Sequence, residues 1–390
     1  LIAMEWFCYF VMRSISVRGF EPETLAFFLT SVGFSVVGSS APDGMGRHCL
    51  LFLAALALFF ALGVWLRDLH RVRAMRWPMA FAALGFLALN LLLSETIWGA
   101  KNWLSIAGQT LQPSEFVKLA CIIVVAKYLE NNTDPMSDLK GTMRLILLMA
   151  IPWGLTLLQG EMGSVLVMIF VFGVMMFFGG IRIRTLVGIL AAGVIALALL
   201  YGVTMASGTD NYRLTRILSF INPELVDESA TYQVTQSKIA IGSGGLKGVG
   251  MFVQGSFSQL DYVPEDWTDF IFSTIGEAWG FVGCAAVVIV YLLIILRMMY
   301  LARYTADRFG QMVILGVMAM LLFHVFENVG MTTGLMPVTG IPLPFLSYGG
   351  SNLVTNMAGI GLVLNVIKNR SVTMMPGIAP QTVSARKWMK

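Results

Sequence analysis

Apolar blocks of about 20 residues alternate with polar segments along most of this chain, and a helix of that length crosses the hydrocarbon core of a bilayer. The pattern predicts an all-α polytopic membrane protein with ten transmembrane helices. Residues 1–12 are also apolar, so residues 1–23 are expected to hold the remnant of an extra N-terminal helix or of a fused domain. The ten spans are predicted near residues 24–40, 49–66, 77–97, 113–130, 143–158, 162–180, 185–206, 269–296, 310–330 and 350–367.

The composition supports this prediction and fixes an orientation. The chain is 57% hydrophobic and 12% charged, which excludes a soluble multidomain protein. If the segment before residue 24 is cytoplasmic, 19 of the 26 Lys and Arg residues lie on the inner side, as the positive-inside rule requires. Both ends of the ten-helix core, residues 24–367, are then cytoplasmic, as is the tail 368–390. The four cysteines and three histidines show no metal-ligand spacing.

This orientation gathers the polar chemistry on the outer side. Three long segments lie there: 98–112, 207–268 and 331–349. Fourteen of the 22 acidic residues fall in the outer segments or in outer helix ends. The segment 207–268, between spans 7 and 8, is too long for an ordinary connector and is predicted to be a large extracellular loop. The sequence therefore predicts an outward-facing site.

Five carboxylates stand close together where this loop meets span 8: Asp261, Glu265, Asp266, Asp269 and Glu277. Asp269 directly precedes an apolar run, and a carboxylate at the edge of the hydrocarbon is costly unless it is paired, hydrated or used. Asp269 is therefore the first candidate for chemistry. The alternative is an acid at a helix N-terminus that is stabilised by the macrodipole.

The first outer segment leads directly into a predicted helix. Pro113 suits the first turn, and Glu115 and Lys118 lie three residues apart on one helical face. One interpretation is a local ion pair. The other is a substrate groove, with Trp103 against a sugar and Lys101 or Lys118 near a phosphate.

Within the large loop, glycines crowd the stretch YQVTQSKIAIGSGGLKGVG. No Gly-Lys-Ser/Thr occurs, so this is not a Walker A loop. A flexible membrane-surface loop is favoured, with backbone amides available to a diphosphate. The cations Arg213, Arg216, Lys238 and Lys247, four of seven on the outer side, indicate an anionic ligand such as a lipid diphosphate.

The third outer segment, GLMPVTGIPLPFLSYGGSN, carries prolines and glycines that forbid a regular helix. Ser347, Tyr348 and Ser351 supply hydroxyl groups there. In the preceding span His324 and Glu327 are three residues apart, and interhelical hydrogen bonding is the favoured interpretation.

These segments together resemble the SEDS family, the RodA, FtsW and SpoVE proteins, over roughly residues 24–367. The matching stretches, in order, are GAKNWL…LQPSEFVKLA, YRLTRILSFINPE, YQVTQSKIAIGSGGLKGVG, VPEDWTDFIFSTIGE and GLMPVTGIPLPFLSYGGSN. The resemblance implies a ten-helix SEDS fold in the bacterial plasma membrane. It also implies a peptidoglycan glycosyltransferase of cell elongation, division or sporulation. Such an enzyme polymerises lipid II on the outer face, works with a class B penicillin-binding protein and binds no nucleic acid.

The resemblance also assigns residues. The family's Pro-Glu-x-x-Thr-Asp-Phe motif maps its essential aspartate onto Asp269. A second functional acid of the family, eight residues earlier, maps onto Asp261. Asp266 falls at a variable position of the motif and is expected to be solvated. Asn102 stands where the family usually has Arg. The candidate substrate-binding residues are Trp103, Lys101, Glu115, Lys118, Arg213, Arg216, Gln233, Lys238, Ser347 and Ser351. No fixed cofactor is implied, and a divalent cation stays a candidate.

The implied reaction joins the 4-hydroxyl of an acceptor GlcNAc to C1 of a donor MurNAc, with inversion and loss of undecaprenyl diphosphate. It needs a base, for which Asp269 is the hypothesis, and cations for the leaving group. Two rival classes remain at this stage. A lipid II flippase would use the intramembrane acids Glu161, Glu277 and Glu327, and a non-catalytic scaffold would only activate its penicillin-binding protein.

Overall fold

The structure is a computed structural model in which helices dominate. It describes residues 10, 21–65, 69–94, 102–106, 109–132, 135, 138–185, 187–188, 219–220 and 228–369. The helices are α1 (Glu21–Ser40), α2 (Met45–Trp65), α3 (Leu69–Ala74), α4 (Arg76–Leu93), α5 (Pro113–Asn131), α6 (Leu139–Leu158), α7 (Met162–Gly179), α8 (Glu228–Gly244), α9 (Ile271–Arg303), α10 (Arg308–Thr333) and α11 (Gly350–Asn369). A 3-10 turn, Pro42–Gly44, precedes α2, and the strands β1 (Leu104–Ile106) and β2 (Gln109–Leu111) form an antiparallel hairpin.

Nine of the ten predicted spans coincide with a described helix, and the tenth, 185–206, lies almost wholly outside the described residues. Seven helices of the described ranges are long and apolar enough to cross a membrane. They are Pro42–Leu62, Arg76–Leu93, Lys140–Leu158, Met162–Gly179, Ile271–Arg303, Arg308–Thr333 and Gly350–Lys368. The prediction of an all-helical polytopic membrane protein is confirmed.

The ends of the central helices follow local chemistry. The side chain of Asp138 accepts a hydrogen bond from Gly141 N (2.9 Å) before α6, and Asp307 does the same for Gly310 N (2.8 Å) before α10. Each aspartate thereby satisfies a backbone donor that the first helical turn leaves unpaired. Helix α10 ends at Gly334, whose φ of 77° is the left-handed conformation typical of a helix C-terminus.

The core of the bundle is built around α10, which contacts α5, α7, α9 and α11 and is buried along almost its whole length. Small residues permit the close packing. A Cβ at Gly316 would lie 2.6 Å from the side chain of Ile122 on α5, so the two helices approach where no side chain intervenes. Helix α10 is thus the element against which the outer segments are positioned.

Ion pairs join several helices at one end of the bundle. Arg73 contacts Glu130 (2.9 Å) and Asp307, and Lys127 contacts Glu130 (2.6 Å). Arg308 donates to backbone carbonyls at the ends of α5 (2.8 Å) and α7 (3.0 Å). All these residues were predicted to lie on the inner side. The structure brings them together at one end of the bundle, and we call them the inner ion cluster after the side predicted for them (Arg73, Lys127, Glu130, Asp307 and Arg308).

Helix α9 is broken at Gly280, whose backbone has φ 65° and ψ −162°. The break is filled by the turn that follows α8. Val249 N donates to Glu277 O (2.9 Å) and Gly250 N donates to Ala278 O (3.0 Å), so carbonyls that the break leaves unpaired find partners. Phe281 N and Val282 N donate to carbonyls of residues 245 and 246 in return (2.8 and 3.2 Å). Non-helical backbone near a membrane persists where protein satisfies its polar groups in this way.

Candidate active site

The predicted flexible loop is wrong for residues 228–244, which form α8. This helix docks on the C-terminal end of α10, where Ser237 Oγ donates to Thr332 O (2.8 Å). Gly244 and Gly248 allow the chain to lie directly on α9. A Cβ at Gly244 would lie 2.9 Å from Glu277 O and closer still to Gly276 O. Gln233 on α8 is half-buried and Lys238 is exposed.

The segment 251–270 runs as a series of turns from this contact to the start of α9. Glu277, buried on the first part of α9, accepts hydrogen bonds from Phe257 N (2.6 Å) and Ser258 N (3.0 Å). Its two carboxylate oxygens therefore hold the turns against the helix. This is a structural task.

Asp269 is half-buried and lies one residue before the helix cap Phe270. Thr268 Oγ1 donates to its Oδ1 (2.8 Å), and Asn328 Nδ2, on α10, donates to its backbone carbonyl (2.7 Å). The same Asn328 amide donates to Ile341 O (2.8 Å) in the third outer segment. One side chain of α10 thus fixes the main chain of Asp269 against a neighbouring segment.

Asp261 and Glu265 are exposed, and both hold left-handed backbone conformations, with φ of 53° and 60°. Such conformations are costly for residues with a Cβ and cluster at functional sites. The amides of Thr268 and Phe270 both donate to Glu265 O (3.1 Å each), so the unusual conformation at Glu265 closes the turn that carries Asp269.

The prediction that Asp266 is solvated is wrong, because the residue is completely buried. Thr274 Oγ1 donates to its backbone carbonyl (3.2 Å) and approaches its Oδ2 (3.4 Å), while Oδ1 has no hydrogen-bond partner in the described part of the chain. Burial, with repulsion from Asp261 and then from Glu277 and Glu265, raises the pKa of Asp266 from 3.8 to about 7. The five carboxylates are therefore not equivalent.

The third outer segment is non-helical between α10 and α11, as predicted, and packs on the Asp269 segment through Tyr348 N, which donates to Trp267 O (2.8 Å). Ser347 is buried and accepts from Leu343 N (2.7 Å). Ser351, also buried, accepts from Gln112 N (2.9 Å) at the end of the first outer segment. Both serines thus hold backbone segments together, and that is the role this geometry supports.

Glu115 and Lys118 form the predicted ion pair, and both are buried (Nζ to Oε1, 2.7 Å). Lys118 Nζ also lies 3.1 Å from His324 Nε2, which confirms the interhelical hydrogen bond predicted for His324. His324 Nδ1 lies 2.7 Å from Met320 O, so Nδ1 carries the proton and Nε2 accepts from the ammonium. Asn352 on α11 donates to the second oxygen of Glu115 (3.4 Å).

Two further buried acids extend this polar interior. Glu161 accepts a hydrogen bond from Gln112 Nε2, beside the Gln112–Ser351 contact. Glu327 accepts from Thr339 Oγ1 (2.9 Å), so its partner lies in the third outer segment rather than on another helix. Sequence reasoning did not identify Asn328, Gln112 or Asn352. Amide side chains within apolar spans were the available signal.

Of the other predicted residues, Trp103 is half-buried directly before β1. Lys101, Arg213 and Arg216 lie outside the described residues. No group of three or more His, Cys, Asp or Glu side chains in the described ranges is arranged to hold a metal ion.

Comparisons with known proteins match this arrangement. The sequence model of the FtsW/RodA/SpoVE proteins, described as cell cycle proteins, matches residues 29–372. The chain belongs to this family of peptidoglycan glycosyltransferases. It is 34% identical to a probable peptidoglycan glycosyltransferase FtsW of Trichlorobacter lovleyi, over 90% of this chain and 93% of that protein. It is 31% identical to the peptidoglycan glycosyltransferase RodA of Treponema pallidum, over 87% and 94% of the two chains.

The solved structures agree with the family assignment. A chain of a peptidoglycan synthase complex, described as coordinating polymerization and crosslinking, superposes with a TM-score of 0.73. It is 31% identical, and the match covers 90% of this chain and 97% of that one. RodA of Thermus thermophilus, also 31% identical, superposes with a TM-score of 0.68 over 90% and 96% of the chains. The FtsW/RodA/SpoVE fold is thus established for the chain.

Proposed function

We propose that this family member polymerises lipid II into glycan strands on the outer face of the bacterial plasma membrane. Asp269 is the general base. This assignment is supported by two contacts. Asn328 holds the main chain of Asp269, and the hydroxyl of Thr268 donates a hydrogen bond to the Asp269 carboxylate. A base must be held within hydrogen-bond reach of the proton that it removes, so a rigidly mounted and half-buried carboxylate on the outer side of the membrane suits the task.

In the proposed step, the acceptor 4-hydroxyl attacks C1 of the donor MurNAc as Asp269 takes its proton. The bond from C1 to the diphosphate oxygen breaks, and undecaprenyl diphosphate leaves from the opposite face, which inverts the anomeric centre. Asp261, exposed and in a strained conformation, orients the sugars. Lys238, with Arg213 and Arg216, is assigned to the diphosphate, because positive charge stabilises the charge that develops on the leaving group.

Glu115 and Lys118 receive a positioning role in this proposal. The ammonium of Lys118 is buried between Glu115 and His324, so its charge is compensated inside the protein. Asn352 and Ser351, neighbours on α11, tie this interior to Gln112 and to the third outer segment. The pair therefore positions the start of α5 against α10 and α11.

The orientation follows the Lys and Arg distribution, with both ends of the ten-helix core in the cytoplasm. The rival transport function needs a pathway that opens to both faces. The inner ion cluster opposes such a pathway, because it joins α3, α5 and α10 at the end away from Asp269. By analogy with the solved synthase complex, we propose a class B penicillin-binding protein as the partner that crosslinks the strands.

The test is polymerisation of purified lipid II by the protein with its partner, with the glycan products resolved on gels. Asp269→Asn should abolish polymer formation while preserving expression and partner binding. Asp43→Asn is the matched control, since Asp43 is an exposed outer carboxylate in the 3-10 turn before α2. A non-catalytic scaffold predicts that the wild type forms no polymer either, because the partner only crosslinks, and polymer formation by Asp269→Asn would overturn the assignment.

A further inference from the structure

Residues 246–253, which we call the apolar turn, expose large hydrophobic side chains on the outer part of the molecule. The exposed fractions are 71% for Leu246 and 64% for Phe252, and Val249 and Val253 are exposed as well. Phe252 is held at φ 60°, a left-handed conformation that L-residues seldom adopt. A strained backbone that presents a phenyl ring outward is unexpected if that ring faces only water.

The apolar turn is attached to α9 at the helix break. The hydrogen bonds from Phe281 N and Val282 N to residues 245 and 246 lie directly beside it. Phe281 and Val282 are themselves exposed, at 67% and 62%. The apolar turn and these two side chains therefore form one continuous hydrophobic surface.

The exposure pattern of α9 locates this surface relative to the bilayer. Every side chain from Ile271 to Ala278 is buried, whereas one face is exposed and apolar from Phe281 onward, including Val288, Ile289 and Leu292. The 33 residues of α9 extend about 50 Å, well beyond the roughly 30 Å of a hydrocarbon core. The part after Gly280 extends about 34 Å and suffices to cross it. Phe281 therefore marks the outer boundary of the hydrocarbon, and the apolar turn lies at that level.

We propose that the apolar turn inserts into the outer leaflet as an interfacial anchor, with lipid acyl chains as its occupant. Its surface continues the lipid-facing side of α9, which identifies lipid rather than water as the neighbour. Lys247, exposed within the turn, lies where its ammonium reaches lipid phosphates while its methylenes stay among apolar groups. Apolar side chains combined with an adjacent cation are the features of an interfacial anchor.

The anchor also deepens the proposed function, on which this part of the inference rests. The chain passes from the apolar turn to Phe257 and Ser258, which Glu277 holds, and then to the Asp269 turn. All of these segments are fixed to the first part of α9. Anchoring the turn in the leaflet therefore sets the height of Asp269 relative to the lipid diphosphate.

The depth of the turn is measured directly with a nitroxide label. The four cysteines, Cys8, Cys49, Cys121 and Cys284, are replaced by Ser in the full chain, and labels are placed by Phe252→Cys, Leu292→Cys and Asp43→Cys in nanodiscs. The Phe252 label should collide with oxygen more than with an aqueous nickel chelate, as the lipid-facing Leu292 label does. A ratio equal to that of the Asp43 label overturns the anchor. Protection from nickel only after addition of the penicillin-binding protein also overturns it, in favour of a protein interface.

A second experiment tests the link to catalysis with Leu246→Gln combined with Phe252→Asn. Asn tolerates the left-handed conformation, so this variant removes the apolar groups without adding backbone strain. Polymerisation should fall about tenfold in proteoliposomes, since misplacement of reacting groups by about 1 Å costs 10- to 100-fold, and stay unchanged in detergent. The positioning role is overturned if the variant is as active as the wild type in both media, or if it loses the same fraction of activity in both. The label experiment needs no activity, so its outcome is independent of the proposed polymerase function.

Discussion

Substitution of Gly248 by Ala should open the joint between the apolar turn and the broken helix α9. A Cβ at this position would lie 2.5 Å from Trp279 N and closer still to the Ala278 carbonyl, so the turn has to move away from α9. Gly255 is the matched control. Its φ of +87° is close to the +80° of Gly248, but no atom lies within 4 Å of an added Cβ. Both variants therefore place an alanine at positive φ, and only one of them meets α9.

The magnitude follows from the hydrogen bonds at the joint. A left-handed alanine costs about 1–2 kcal/mol in either variant. Separation of the turn from α9 also breaks the four backbone hydrogen bonds made by Val249, Gly250, Phe281 and Val282. At about 1 kcal/mol each, their loss lowers the local opening free energy by about 4 kcal/mol. That corresponds to an approximately thousandfold faster amide exchange, since about 1.4 kcal/mol changes an equilibrium tenfold.

Hydrogen–deuterium exchange with peptide resolution measures this effect. In Gly248→Ala, the amides at 249–250 and 281–282 should exchange faster by about three orders of magnitude, and those of α10 should not change. In Gly255→Ala these amides should keep the wild-type rate. The reasoning fails if the two variants exchange alike, because the hydrogen bonds would then not depend on the close approach at Gly248.

Three further predictions concern the carboxylates and their supports. Because the pKa of Asp266 is raised to about 7, the native state favours its neutral form, and this group lowers the free energy of unfolding as the pH rises from about 4 to 7. Asp266→Asn should remove that pH dependence from melting temperatures measured between pH 4 and 8, and an unchanged dependence refutes the prediction. Lys118→Met should lower the free energy of unfolding by about 3–5 kcal/mol, because it leaves the buried charge of Glu115 without its partner cation. The double variant Lys118→Met with Glu115→Gln should recover most of the lost melting temperature. Equal melting temperatures of the single and double variants would contradict this. Asn328→Leu should lower the kcat of polymerisation about 10- to 100-fold with little change in KM for lipid II, because the main chain of Asp269 is released. A wild-type kcat would show that the hydrogen bond from Asn328 to Asp269 is not needed.

The spans were predictable because hydrocarbon thickness dictates both the length and the composition of a transmembrane helix. The break in α9 was not predictable from the sequence. Gly280 lies in an apolar run that reads as continuous helix, and the partners that fill the break come from a turn 28 to 36 residues earlier in the chain. Helix α8 was missed for a related reason. Its sequence is rich in polar and β-branched residues, and its helical form depends on docking against α9 and α10.

The candidate site was predictable in its chemistry and not in its environments. The motif around Asp269 identified the right segment. Residue type alone could not separate Asp261 on the surface from Asp266 in the interior, since an acid is polar by type in both places and only the tertiary contacts exclude water from one. The same holds for Lys118: its pairing with Glu115 was predictable from their spacing, but its contact with His324 joins residues more than 200 positions apart.

Helix α10 carries a consequence for how the enzyme responds to its membrane. At one end Asp307 and Arg308 belong to the inner ion cluster, and at the other Asn328 holds the main chain of Asp269. The part of the helix between Arg308 and Asn328 is a rod about 30 Å long, which does not lengthen. In the proposed orientation, Asp269 therefore stands at a fixed distance from the inner surface. A thicker bilayer, through hydrophobic mismatch, raises the outer headgroups relative to Asp269 unless the whole bundle tilts less or the lipids thin around it.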